Sequence, residues 1–164
     1  MRDYLWPIIS LLIAAGLQGG LPPALSLWGA KPDLILVVLI AYSLAADLVF
    51  GATLGFVAGL IHGSAVGMAM GSFIVTRTIT GFLAGLVTAK LFSENPIVPV
   101  VSAAWLTLVT EGLFILANPR PGLGAVARQI AGECVLNALL TLFLYWVMRQ
   151  LEARRKLRLV NARL

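Results

Sequence analysis

Residues 51–71 read GATLGFVAGLIHGSAVGMAMG, and glycine returns at every fourth position of this stretch. In water, each glycine would weaken a helix by about 1 kcal/mol relative to alanine. In a membrane the same spacing is useful, because glycines four residues apart form a groove into which another helix can pack closely. The stretch therefore predicts membrane helices that pack through small residues, namely Gly51, Gly55, Gly59, Gly63, Gly67 and Gly71.

The glycine row cannot face a single neighbour along its whole length. Four residues turn a helix by about 400°, so the row drifts by about 40° at each step. We expect His62-Gly63-Ser64 to break the run and leave Gly51, Gly55 and Gly59 on one helix. Gly81 and Gly85 repeat the spacing further along the chain. Two interpretations are open: close packing within one molecule, or a face on which another protein docks.

The composition predicts one all-α membrane domain, residues 1–148, followed by a basic tail, residues 149–164. Hydrophobic residues make up 60% of the chain and charged residues 12%, which is about half the charged fraction of soluble domains. Six of the 12 Lys and Arg residues lie in the tail. The positive-inside rule therefore predicts a cytoplasmic C-terminus, where the tail attracts anionic lipid. Because the tail directly follows an apolar helix, nucleic-acid binding is disfavoured.

Six apolar segments predict transmembrane helices, although five spans remain possible, since a span needs about 20 residues. The N-terminal segment is long enough to be a retained helix rather than a cleaved signal peptide. Pro32 and Asp33 begin the second helix, because proline suits a first turn and an acid suits the positive end of the helix dipole. The predicted helices cover about residues 4–27, 34–46, 48–62, 68–92, 97–117 and 133–148, with a short amphipathic piece at 123–132. Gly19-Gly20 and Pro22-Pro23 could equally end the first helix early.

Two charges lie inside apolar helices, Arg77 in the fourth and Glu111 in the fifth. Isolated charges at that depth are costly. Each lies 17 positions from Glu94, in the turn between the two helices, so an antiparallel hairpin places them at the same depth. These equal distances from the turn predict an ion pair between Arg77 and Glu111 inside the membrane, with bidentate hydrogen bonds that fix the hairpin. A contact with a substrate, a lipid or a partner is the alternative.

The remaining polar residues indicate no catalytic site. His62, the only histidine, is expected to make a structural hydrogen bond, and the single cysteine, Cys134, excludes an internal disulfide. The chain has no nucleophile elbow, no zinc-protease motif, no phosphate-binding loop and no closely spaced pair of carboxylates. We therefore predict a protein that is not an enzyme and that binds no metal or cofactor.

Three segments resemble the rod shape-determining protein MreD family. PDLILVVL at residues 32–39 resembles the proline-started second helix of that family. GFVAGL at 55–60, with Gly67 after it, and GFLAGL at 81–86 are similar to the two helices that follow. Family members commonly place an aspartate soon after the Gly-Leu of the third helix, where this chain has His62, so a role of that acid is not carried over. The resemblance gives no role to Arg77 or Glu111.

This resemblance implies a non-enzymatic subunit of the bacterial cell elongation machinery in the inner membrane. Such a subunit binds the bitopic protein MreC and thereby connects MreB filaments to the peptidoglycan synthases RodA and a class B penicillin-binding protein. The glycine faces would then be docking surfaces. The alternative is the substrate-binding S component of an energy-coupling factor vitamin transporter, which is also small, six-helical and glycine-rich. Arg77 and Glu111 would then orient a small polar ligand.

Overall fold

The computed structural model describes residues 4–90, 97–119 and 121–161, in which all the regular structure is helical apart from one isolated β-bridge. This confirms the predicted all-α fold with six helices. The turn at Glu94 and the side chains of the basic tail beyond residue 150 lie outside the described part. The helices are α1 Leu5–Gln18, α2 Leu34–Ser43, α3 Leu48–Val66, α4 Met70–Lys90, α5 Ile97–Ala117 and α6 Leu123–Asn161.

Four of the six helices are long and apolar enough to cross a membrane: α3, residues 70–87 of α4, α5, and residues 124–148 of α6. The other two have 14 and 10 residues, so they are about 21 and 15 Å long and shorter than a hydrocarbon core of about 30 Å. The first helix ends at Gln18, directly before Gly19-Gly20, which is the earlier of the two ends that the sequence left open. Residues 123–132, predicted as a short amphipathic piece, form the first part of α6 and continue into it without a break.

The predicted break in the glycine row at His62-Gly63-Ser64 is wrong, because α3 continues through these residues to Val66. The helix ends instead at Gly67, whose φ of 73° lies in the left-handed region that glycine adopts at a helix C-terminus. Its N–H donates to the Gly63 carbonyl oxygen at 2.9 Å. One glycine of the row therefore terminates the helix and does not pack against a neighbour.

The other glycines of α3 lie in a close antiparallel contact with α4. A Cβ on Gly51 would overlap the carbonyl oxygen of Gly81, and a Cβ on Gly55 would overlap that of Arg77. Further along, a Cβ on Gly63 would lie 2.8 Å from the Met70 Cα. Gly59 and Gly85 are equally close to backbone atoms of the facing helix, whereas no such atom lies within 4 Å of a Cβ at Gly71. The two backbones therefore touch along nearly all of α3.

The short helix α2 is the centre of the bundle. It contacts α1, α3, α4, α5 and α6, and seven of its residues are buried: Ile35, Leu36, Val37, Leu39, Ile40, Ala41 and Ser43. The five outer helices surround it in the order α1, α3, α4, α5, α6, but within the described residues α1 and α6 do not touch each other. Leu34, Val38 and Tyr42 are only half-buried and recur every four residues. We call them the α2 stripe, the part of α2 that its neighbours cover least.

Successive helices run antiparallel, so the bundle has two distinct ends. Gln18 contacts Pro32 between α1 and α2, Gly63 lies against Met70 between α3 and α4, and Thr107 contacts Asn137 between α5 and α6. The connections after α1, α3 and α5 therefore lie at one end, which we call the α1–α2 end. The C-terminal part of α6 points to the opposite end, the tail end.

The connection between α1 and α2 is folded against α6. Leu27 and Ala30 exchange two backbone hydrogen bonds of 2.9 and 3.0 Å around a two-residue turn. The turn residues Trp28 and Gly29 have φ values of 53° and 85°, as tight hairpin turns with two left-handed positions require. On α6, a Cβ at Gly132 would overlap the carbonyl oxygen of Leu27. Gly132 is therefore a position at which the backbone of this connection approaches α6 closely.

We expect Gly132→Ala to displace this connection, because overpacking of this kind typically costs about 1–3 kcal/mol. Amide hydrogen exchange followed by mass spectrometry should show at least a tenfold loss of protection over residues 21–31. Gly124→Ala is the matched control, since no atom outside the helix backbone lies within 4 Å of its Cβ position. Equal protection in both variants would contradict the close contact.

Candidate functional site

A polar cavity of about 210 Å³ lies near the α1–α2 end. Each of the helices, or a residue next to it in the chain, contributes to the wall of this cavity. Five of its lining residues are charged, which is unusual inside a membrane bundle because charge is costly there. Its lining residues are Gln18, Lys31, Asp33, His62, Phe73, Arg77, Glu111, Phe114 and Glu133.

Arg77 forms a buried ion pair with Asp33 at this cavity. Its side chain is 1% exposed, and its Nη2 donates to Asp33 Oδ2. His62 completes the cluster, with its Nδ1 lying 3.3 Å from Arg77 Nη2 and 3.7 Å from Asp33 Oδ2. The His62 ring is also stacked on Phe73, with ring centroids 4.2 Å apart. Three helices, α2, α3 and α4, are therefore tied together by one charged cluster.

Arg77 is thus in ion-pair contact with Asp33, a partner that the hairpin count did not predict, and the pairing of Arg77 with Glu111 stays a prediction. Counting residues from the turn gives the depth of a side chain, whereas the rotation of the helix decides which neighbour it meets. Arg77 meets the N-terminus of α2 in the middle of the bundle. Glu111 lines the same cavity from α5. Both sequence-predicted charges therefore belong to one site.

The N-terminus of α2 is held by side chains from three parts of the chain. Asp33 Oδ1 accepts from the Leu36 N–H at 2.9 Å, as an N-cap does. Gln18 Oε1 accepts from the Leu34 N–H at 2.7 Å, and its Nε2 donates to the Pro32 carbonyl oxygen at 3.0 Å. Asn137 Oδ1 accepts from the Asp33 N–H at 2.9 Å. A helix end inside a membrane requires such partners, because lipid offers no hydrogen bonds.

Asn137 extends this network to α5. It is fully buried, and its Nδ2 donates to Thr107 Oγ1 at 3.3 Å and to Glu133 Oε1 at 3.4 Å. A second hydroxyl contact, Thr80 Oγ1 to Thr110 Oγ1 at 2.6 Å, joins α4 to α5. Hydrogen bonds of this kind between membrane helices contribute about 0.6–2 kcal/mol each. The network fixes the position of every helix that lines the cavity.

The Arg77 guanidinium is only partly satisfied by the described residues. Its Nε and Nη1 are buried and have no hydrogen-bond partner among them. Its carbon Cζ lies 5.7 Å from the centroid of the Phe73 ring, within the range of a cation–π contact. A buried N–H without an acceptor costs about 1–3 kcal/mol, and a stable fold retains such a group only where other interactions offset that cost.

Sequence reasoning found part of this site. It singled out His62, Arg77 and Glu111, and it placed Asp33 at a helix start without linking it to Arg77. Gln18, Glu133 and Asn137 were missed. A signal for the last two was available, because Glu133 and Asn137 lie four residues apart in an apolar helix and so share one face. For Gln18 no signal was available, since only the fold brings it to α2.

The family comparison covers nearly the whole chain. The model of the rod shape-determining protein MreD family matches residues 2–154, whereas no curated protein and no solved structure matches significantly. The six apolar helices agree with a multi-pass membrane protein. The family is a non-enzymatic one that acts in determining rod shape, which confirms the prediction from the missing catalytic motifs. The chain belongs to the rod shape-determining protein MreD family.

Proposed function

We propose that this chain docks an MreC-type bitopic membrane protein within the bacterial cell elongation machinery. Family membership gives the role in rod-shape determination. Through that partner the chain would connect MreB filaments to RodA and to a class B penicillin-binding protein, which synthesise peptidoglycan. The chain itself contributes helix docking and no chemistry.

The α2 stripe supports a docking site between α1 and α6. The sequence favoured the glycine faces for this role, but Gly51, Gly55 and Gly59 already contact the backbone of α4. The ring of outer helices is open between α1 and α6, by contrast. Leu34, Val38 and Tyr42 are half-buried, and we infer that they face this opening. A bitopic partner brings one apolar helix of about 10 Å diameter. One such helix would close the ring over the stripe.

The basic tail supports an orientation with the C-terminus in the cytoplasm of the bacterial inner membrane, as the positive-inside rule predicts. The tail would then lie beside the anionic lipids of the inner leaflet. Since α6 leads from the α1–α2 end to the tail end, the cavity would lie towards the outer face of the membrane. A partner helix seated on the α2 stripe would run beside the cavity.

We expect a photo-crosslinker at position 38 to capture the MreC-type protein in living cells. Val38 is the middle residue of the α2 stripe, so a docked helix would lie in direct contact with it. The adduct is purified through a tag on the chain and identified by mass spectrometry. The matched control is position 101, because Val101 is 60% exposed and lies on α5, a helix that does not border the opening.

Two outcomes of this crosslinking experiment, and one of a separate pull-down, are informative. An MreC adduct at position 38 and none at position 101 supports docking in the opening. The reverse result contradicts the proposed surface and moves the interface to α5. A mild-detergent pull-down that recovers a transporter ATPase pair instead of MreC would overturn the proposed function and restore the transporter alternative, which family membership does not favour.

A further inference from the structure

Arg128 lies where α6 meets the lipid headgroups at the α1–α2 end. The 20 residues between Arg128 and Arg149 are continuous within α6. With a rise of about 1.5 Å per residue they span about 30 Å, which is the thickness of the hydrocarbon core. Arg149 begins the basic tail at one membrane surface, so Arg128 lies at the opposite surface.

The exposed charges that the structure describes at the α1–α2 end are basic. The acidic residues described at this end are Asp33, Glu111 and Glu133, which line the cavity and are buried or half-buried. Lys31 and Arg128, by contrast, are exposed. Cations on the side away from the tail run against the positive-inside rule. The orientation of the chain therefore does not account for them, whereas a surface contact with an anionic group would.

Trp28 exposes its ring at the same end of the bundle. It is 56% exposed and takes the first position of the two-residue turn between Leu27 and Ala30. Its φ of 53° is left-handed, a rare conformation for a bulky residue. Such turns are usually Asn-Gly or Asp-Gly, so the turn itself does not explain a tryptophan. Because tryptophan is enriched at membrane–water interfaces, this position favours contact with lipid.

The turn at Trp28 lies beside Arg128 in the fold. A Cβ on Gly29, the second residue of the turn, would be 3.9 Å from Nε2 of Gln129, the residue after Arg128. Arg128 is also one helical turn before Gly132, where the connection approaches α6 closely, and residues four apart share a helix face. Two segments that are distant in sequence therefore provide an aromatic ring and a guanidinium at one level of the membrane.

We propose that Trp28 and Arg128 bind an anionic phospholipid in the leaflet opposite the tail, with the Arg128 guanidinium on the phosphate and the Trp28 ring beside the upper acyl chain. A guanidinium matches the oxygens of a phosphate. An anionic headgroup is favoured over a zwitterionic one, because the ammonium of the latter would meet only cations at this surface. The site is independent of the partner docking proposed above, since neither residue lies on the α2 stripe.

Tryptophan fluorescence tests lipid contact at this position. The full chain has four tryptophans, and replacing Trp6, Trp105 and Trp146 by phenylalanine leaves Trp28 as the only reporter. The protein is reconstituted in phosphatidylcholine vesicles with increasing amounts of brominated phosphatidylglycerol or brominated phosphatidylcholine, whose bromines quench tryptophan on contact. We expect half-maximal quenching by phosphatidylglycerol at a mole fraction at least threefold lower than by phosphatidylcholine. Equal quenching by the two lipids, or quenching by neither, would overturn the proposal.

A second reporter shows whether the preference belongs to this site. Trp105 is 48% exposed on α5, and residues 97–113 around it contain no Lys or Arg. A chain with Trp105 as its only tryptophan should be quenched equally by the two lipids. The same threefold preference at Trp105 would mean that anionic lipid collects around the whole protein, and would contradict a site at Trp28.

Two charge variants in the chain with Trp28 alone test the phosphate contact. Arg128→Gln should reduce the preference to below 1.5-fold and leave the melting temperature unchanged, because Arg128 is an exposed residue. Arg149→Gln is the matched control, since it removes the same charge from the other end of the same apolar stretch, and it should keep the preference. An intact preference in Arg128→Gln, or an equal loss in both variants, would refute the role of Arg128.

Discussion

Gly81→Ala should abolish the folded protein, although it adds only one methyl group. The new Cβ would overlap the carbonyl oxygen of Gly51 on the facing helix. The obstacle is backbone, which cannot rotate away as a flexible side chain can, so α3 and α4 would have to separate along their length. We expect a loss of at least about 3 kcal/mol, the upper end of ordinary overpacking. Fluorescence-detected size-exclusion chromatography in mild detergent should show little or no monodisperse protein.

Alanine at two other helical glycines provides the control. No atom outside the helix backbone lies within 4 Å of a Cβ at Gly16 or at Gly112. Alanine there should be neutral, or should stabilise the helix by up to about 1 kcal/mol through its higher helix propensity. If Gly81→Ala and Gly16→Ala gave the same monodisperse yield, the close α3–α4 contact would not be the basis of the fold.

Removing the charge of Asp33 should also destabilise the protein strongly, and a change at Arg77 should compensate for it. Asp33→Asn keeps an N-cap for α2, because asparagine caps about as well as aspartate, but leaves the Arg77 charge buried without its counter-ion. Breaking a buried pair in this way costs about 3–5 kcal/mol. Arg77→Gln should cost a similar amount, and the double variant should recover at least half of the loss. Reversible unfolding in mixed detergent micelles measures each free energy.

The matched control for this cycle is Glu111→Gln combined with Arg77→Gln. The structure shows Asp33 in ion-pair contact with Arg77, so this second double variant should recover less than the first. Equal recovery in the two double variants would mean that Arg77 interacts with both carboxylates to the same extent. Recovery only with Glu111→Gln would support the hairpin pair that the sequence predicted.

Several features followed from the sequence because they depend on local spacing alone. Apolar runs bounded by turn residues predict membrane helices, and the bounds of α5 at Ile97 and Ala117 agree with the expectation. Glycines four residues apart predict close helix contacts. The positions of Arg77 and Glu111 relative to their turn predict that they lie at similar depth, and both line one cavity. Each of these inferences needs only the rise and pitch of a helix.

The sequence was a weaker guide to how many helices are long enough to cross the membrane. Hydropathy treats α1 and α2 like the other helices, although they are 14 and 10 residues long. A helix as short as α2 is stable in a membrane because other helices surround it and because Gln18 and Asn137 satisfy its N-terminal backbone groups. These partners lie 16 and 104 residues away in the chain, so no local pattern reveals them.

The sequence by itself determined three things: that this is a helical membrane protein, at which positions its glycines allow close packing, and to which family the chain belongs. Only the tertiary structure decided that α2 lies at the centre, that Arg77 pairs with Asp33, and that five charged residues line one cavity. The physical reason is that spacing along a helix fixes depth. The choice of neighbour depends on the rotation of each helix, which is set by the packing of all six at once.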